Sequence, residues 1–153
     1  MKKRLQKAWR RRVHALATVV SIMDIVAFSR LLIIAAVLTV ILRLGLSRPL
    51  FQWLRSVPVS DKTTDRESVE RIVRITDTVL LLGRPAIRSE CLARSCLLYY
   101  QLRRAGEHVD MRFGVSVESS EFRSHCWLIT RDEPVFELSD PRISFRTVFD
   151  LNG

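Results

Sequence analysis

Cysteine, histidine and carboxylate are the residue types in this 153-residue chain that could together do nucleophilic chemistry. Cys91 falls in the first turn of a stretch, Ser89 to Gly106, that reads as one helix. Ser89 is a good N-cap, Glu90 suits the positive end of the helix dipole, and Gly106 is a natural C′ residue. A thiol at a helix N-terminus feels the partial positive charge there, which lowers its pKa and raises its thiolate fraction. His125 follows 34 positions later, at the start of a strand and two residues before Trp127. A histidine on a strand edge beside an aromatic suits the general base of a helix-borne thiol. A third group should orient the imidazole, and Glu137 and Asp140 both lie beyond the next hairpin turn. If that turn centres between Asp132 and Glu133, Asp140 stands opposite His125. A turn shifted by one residue brings Glu137 diagonal to it instead. Against both stands the plainer reading, that they are polar hairpin residues.

The other candidate groups read as packing. His14 lies in the basic and apolar N-terminus, and His108 in the turn before a strand. Cys91, Cys96, His125 and Cys126 do not make a zinc site, because adjacent strand residues point to opposite faces and at most three could converge. Cys96 is about 140° around the helix from Cys91 and belongs to the core, as does Cys126 on the face away from His125. No C-x-x-C pair is present, and three cysteines in a chain of this length make no disulfide framework, which points to a reducing compartment. No cofactor or metal is expected.

Helices and strands must position these residues. Asp65 to Leu82 repeats apolar residues at three- and four-residue spacing, with Ser60, Thr64 and Asp65 as caps, and Gly83 and Pro85 end it. Beyond Gly106 the period becomes two: Val109, Met111, Phe113, Val115 and Val117 alternate with polar residues or glycine in a half-buried strand. Ser124 to Thr130 is a second strand and Val135 to Leu138 a third, while Phe145 to Leu151 is a fourth strand or a closing turn. Helices followed by an antiparallel meander predict an α+β domain over 59–153.

Residues 1–58 differ in kind. The first twelve, MKKRLQKAWRRR, carry seven Lys and Arg and no acid, within a net charge of +9. The apolar stretch Val13 to Leu46 follows, broken by Asp24, Arg30 and Arg43. A spanning helix needs about 20 apolar residues, but the uninterrupted run is only Leu31 to Leu42. A helix or helical hairpin lying on the membrane or packed on the domain fits best, a true span less well and a cleaved signal least. In the piece Arg48 to Pro58, Phe51, Trp53 and Leu54 are candidate interfacial anchors. Basic residues before an apolar run suit anionic lipid better than nucleic acid, so the expected place is the cytoplasm, at the inner face of the membrane.

The pieces ECLARSCLLYYQLRRAG, VDMRFGVSV, SHCWLI and PVFELSD, in that order over residues 60–153, resemble the transglutaminase-like, papain-type cysteine peptidases of lasso-peptide biosynthesis. Those enzymes remove the leader from a ribosomally made precursor. The hydrophobic, arginine-studded N-terminus resembles the helical preface of the same family. The resemblance implies a Cys-His-Asp triad, with Cys91 as nucleophile and His125 as base. Where the family usually has Asp, the gapless match gives Glu137, with Asp140 as the alternative. It further implies a transglutaminase/papain-like fold, a precursor peptide as substrate, a separate leader-binding protein, and an ATP-dependent, asparagine-synthetase-like lasso cyclase as partners. The competing expectation is a membrane-associated binding or scaffold protein of the same fold with a degenerate triad.

Overall fold

The computed structural model describes residues 22–83, 90–116 and 122–152. Among the described residues four helices, α1 (Ile22–Arg43), α2 (Ser47–Arg55), α3 (Arg66–Gly83) and α4 (Glu90–Ala105), precede four strands, β1 (Asp110–Ser116), β2 (Ser124–Thr130), β3 (Glu133–Val135) and β4 (Phe145–Asp150). A 3₁₀ turn, Pro141–Ile143, sits between β3 and β4. The α+β expectation holds. The cap of Ser89, His14 and the basic residues 1–12 lie outside the described residues.

Local chemistry sets the helix ends. The Asp65 carboxylate accepts the Ser68 N–H at 2.7 Å and caps α3. Gly106 closes α4 with φ +100, while its N–H reaches the Arg103 carbonyl and the Glu107 N–H that of Leu102. That pairing is a Schellman motif, which a glycine makes without strain. A Cβ at Gly106 would also meet the Lys62 carbonyl oxygen, so the helix end and the segment before α3 fit only around a hydrogen.

The sheet is antiparallel with order β3-β2-β1-β4. It is not a meander, because β4 pairs with β1 at the far edge rather than with β3. The third strand is also shorter than its alternation predicts. It ends at Val135, since Phe136 takes φ +62 and turns the chain out of the ladder. Residues 136–144 must then cross the sheet from one edge to the other. Trp127, which leaves β2 on the same face as His125, is fully buried.

The helical layer covers the other face. Cys126, Leu128 and Met111 of the sheet join Leu97, Leu98 and Leu102 of α4 in one core. That core continues across residue 58. Leu31, Ala35 and Leu38 of α1, and Leu50 and Leu54 of α2, are buried in it. Phe51 packs edge-on against Phe113 at 5.3 Å, and Arg55 donates to the Leu151 carbonyl. Of the three expected interfacial anchors, Leu54 and Phe51 therefore face the domain and Trp53 alone is exposed. The amphipathic pattern showed an apolar side on α2 but not the sheet that covers it. Leu54→Ala in the full chain should lower the unfolding free energy by about 2–5 kcal/mol, measured by denaturant titration. A loss within about 0.5 kcal/mol would mean that α2 is peripheral to the core.

Candidate active site

The site forms where β3 leaves the edge of β2. There the N-terminal half of α4 lies against β2, tied by the Ser95 hydroxyl donating to the Cys126 carbonyl at 2.9 Å. This anchor sits one turn along from Cys91, so it fixes both the height and the rotation of the helix that carries the thiol. Cys91 is half-buried and bonds the His125 side chain, and the backbone N–H groups of Cys126 and Leu92 are directed at its sulfur. The imidazole beside it, followed by those N–H groups, outweighs burial and holds the thiol below its ordinary pKa.

On the other side of the ring, His125 Nε2 lies 3.3 Å from Glu137 Oε2, which leaves Nδ1 as the nitrogen free for the thiol. Bonds to Cys91 and then to Glu137 raise the His125 pKa to about 9, against the cost of burial. Cys91 and His125 thus favour a thiolate facing an imidazolium. The other two thiols are of a different kind. Burial raises Cys96 to about 12 and Cys126 well above the ordinary thiol value, as packing residues should be.

The two candidate carboxylates go to different tasks. The β2–β3 turn centres on Arg131 and Asp132, both with positive φ, and Thr130 pairs with Glu133. The turn is thus shifted by one residue from the register that would set Asp140 opposite His125, and Glu137, just past the point where Phe136 leaves the ladder, lies at His125. Asp140 instead accepts the backbone N–H of Arg142 at the start of the 3₁₀ turn and pairs with its guanidinium at 2.7 Å. This pairing, with the N-cap bond, pulls the Asp140 pKa down. Asp140 therefore belongs to the crossing loop and Glu137 to the Cys91–His125 group.

Four further residues shape the site. Arg94, one helical turn after Cys91, donates to Asp77 of α3 at 2.7 Å and lies 3.6 Å from Glu137. It ties α3, α4 and the crossing loop together at the carboxylate that faces His125. The Trp127 indole stacks on the imidazole, with centroids 5.9 Å apart and planes 18° from parallel, and Phe145 approaches the ring at 5.2 Å. Trp127 Nε1 is buried with no hydrogen-bond partner among the described residues, while its ring covers one face of the imidazole. Gly114, opposite His125 in the ladder, makes this stacking fit, because a Cβ there would come within 2.8 Å of the indole.

A model of the transglutaminase-like superfamily matches residues 31–150. The chain belongs to that superfamily. No curated protein and no solved structure matches it significantly. The match begins inside α1, so the second half of α1 and all of α2 lie within the transglutaminase-like region, not only residues 60–153 that the motifs cover.

Sequence reasoning missed Arg94 and Gly114. Arg94 sits three positions after Cys91 and so on the same helix face. A glycine inside an alternating strand often marks a close approach by a neighbour.

The paired ionisation sets a pH dependence for this transglutaminase-like site. The reactive pair exists above the lowered pKa of Cys91 and below the His125 value of about 9. Alkylation of Cys91 by iodoacetamide, followed by mass spectrometry of the labelled peptide, should already be fast at pH 7. The proton that the imidazolium could give as a general acid is lost as pH rises through about 9. The stability linkage has the same sign. With its pKa raised from 6.5 to about 9, His125 contributes fully below pH 6.5, and the contribution is lost as pH rises through 9. Labelling that waits for the ordinary thiol pKa would show that the pair is not formed.

Proposed function

We propose that this protein is a cysteine peptidase that removes the leader from a lasso-peptide precursor before macrolactam cyclisation. The observation that carries the reading is the order Cys91, His125, Glu137 within bonding reach in a transglutaminase-like domain. The quoted motifs add the lasso-pathway likeness. Cys91 sulfur attacks the scissile carbonyl, and a thioester forms as the carbon–nitrogen bond breaks. The departing amine takes its proton from the His125 imidazolium. Water then attacks the thioester, gives a proton to the now neutral imidazole, and releases leader carboxylate and the Cys91 thiolate. Glu137 accepts the Nε2–H of His125 and keeps Nδ1 turned toward sulfur throughout. The Cys91 backbone N–H, in the first described turn of α4, suits the oxyanion, as the N–H groups of a first helical turn do.

The substrate partners follow from the same reading. A leader-binding protein presents the precursor in trans, and an ATP-dependent, asparagine-synthetase-like cyclase consumes the freed amine of the core peptide. Work of this kind belongs in the cytoplasm.

The test is reconstitution. The full chain, a synthetic precursor and the leader-binding protein are combined, and the products are weighed by mass spectrometry. The reading expects a leader with a free carboxylate and a core with a free amine. Rapid alkylation of Cys91 without cleavage would remove the lasso assignment. Sluggish alkylation with no cleavage would favour the scaffold reading. Transfer of the leader acyl group to an added amine in place of water would make the enzyme a transferase.

A further inference from the structure

Among the described residues, the outer face of α1 has no partner. One stripe of the helix, Leu31, Ala35 and Leu38, is buried against the domain. The opposite side presents Val26 at 63% exposure, Ile33 at 65%, Val37 at 53% and Val40 at 55%. Ile25–Arg43 is long and apolar enough to cross a bilayer. A helix that is apolar all round calls for an apolar surrounding on every side, and the domain supplies one side only.

A cavity of about 500 Å³ opens on the same surface between α1, α2 and α4, lined by Ile33, Val37, Leu46, Trp53 and Tyr100 among others. Trp53 forms part of its wall, stacked on Tyr100 at 5.2 Å and 48% exposed. An amphipathic ring at such a place suits the headgroup level of a membrane.

Charge selects the occupant. Residues 1–58 hold 11 of the 25 Lys and Arg residues and one of the 16 acids, so the excess charge of the chain belongs to this segment. Arg30, Arg43 and Arg48 are exposed along α1 and at the start of α2. An apolar face with cations around it and almost no acid complements an anionic lipid surface.

We propose that α1 lies in the plane of an anionic bilayer, its outer face and the adjoining cavity taking up acyl chains, with the transglutaminase-like domain seated on the membrane. The helix does not cross. The stripe Leu31, Ala35 and Leu38 runs along the helix and stays on the domain, and a crossing helix would have to leave it. The proposal holds whether or not the domain cleaves a precursor.

Vesicle flotation of the full chain tests it. The chain should float with vesicles containing phosphatidylglycerol, and at least tenfold less with phosphatidylcholine alone. The double variant Ile33→Asp and Val37→Asp, changed only at exposed positions, should lose flotation with unaltered circular dichroism. In a Trp9→Phe background, tryptophan fluorescence should be quenched by lipids brominated near the headgroup, and that quenching should vanish when Trp53→Phe is added. Absence of flotation would overturn the proposal. Quenching strongest with bromine at the chain ends would replace it with a span. A lipid-free oligomer that the aspartate variant dissolves would make the face a contact between copies.

Discussion

Cys91→Ala should reduce peptide cleavage to background, a fall on the order of 10⁴-fold or more, and His125→Ala should do nearly the same. The two residues act as one unit, so the double variant should be no worse than either single one. Without the thiolate no thioester forms, and no other thiol can substitute. Cys96 and Cys126 are buried, and their raised pKa values keep them protonated at neutral pH. Without the imidazole, the strongest influence lowering the Cys91 pKa disappears. Alkylation of His125→Ala should therefore slow at pH 7 and recover only as pH climbs toward the ordinary thiol range. Cys91 is only half-buried, so the alanine variant should keep its fold, checked by thermal melting. A Cys91→Ala protein that retains a tenth of the wild-type rate would end the nucleophile assignment.

Glu137→Gln separates the two carboxylates. Its loss should lower kcat roughly 10²-fold or more, with a smaller effect on KM, since the carboxylate faces the base rather than the substrate. The neutral amide also removes one of the two bonds that raise His125 to about 9, so the alkaline limb of the pH profile should move down toward 6.5. Asp140→Asn should leave the rate within about twofold, because its carboxylate serves Arg142 and the 3₁₀ turn. Should Asp140→Asn reproduce both the rate loss and the shifted limb, the roles assigned to these two residues would have to be exchanged.

The parts of this protein legible from sequence were those fixed by local rules. The Cys91 helix, the cap of Asp65, the Gly106 terminus and the alternation of β1 and β2 each follow from a few neighbouring residues. Cys91 and His125 could be singled out because a thiol at a helix start and an imidazole at a strand start each carry a local mark. Glu137 was harder. Its position depends on a hairpin turn at Arg131 and Asp132, and neither residue announces a positive φ as Asn-Gly or Asp-Gly would. The end of β3 at Val135 was hidden for the same reason, since Phe136 is an unusual residue for the left-handed region. The pairing of β4 with β1 joins segments about thirty residues apart, and no local pattern encodes that choice. Arg94 reads in sequence as one more surface cation, and only the fold brings Asp77 and Glu137 to it.

The segregation of the thiols has a consequence for how the protein ages. An oxidant that reaches Cys91 meets a thiolate, the form that is oxidised to sulfenic acid. Recovery then needs a second thiol to condense with that sulfenate. Cys96 and Cys126 are walled into the core and held protonated, so the chain offers no resolving partner of its own. Repair falls to small thiols from solution, and where they are scarce the sulfur passes on to the irreversible sulfinic state. On the proposed mechanism, the lone accessible thiol thus makes activity depend on the reducing power of the surroundings.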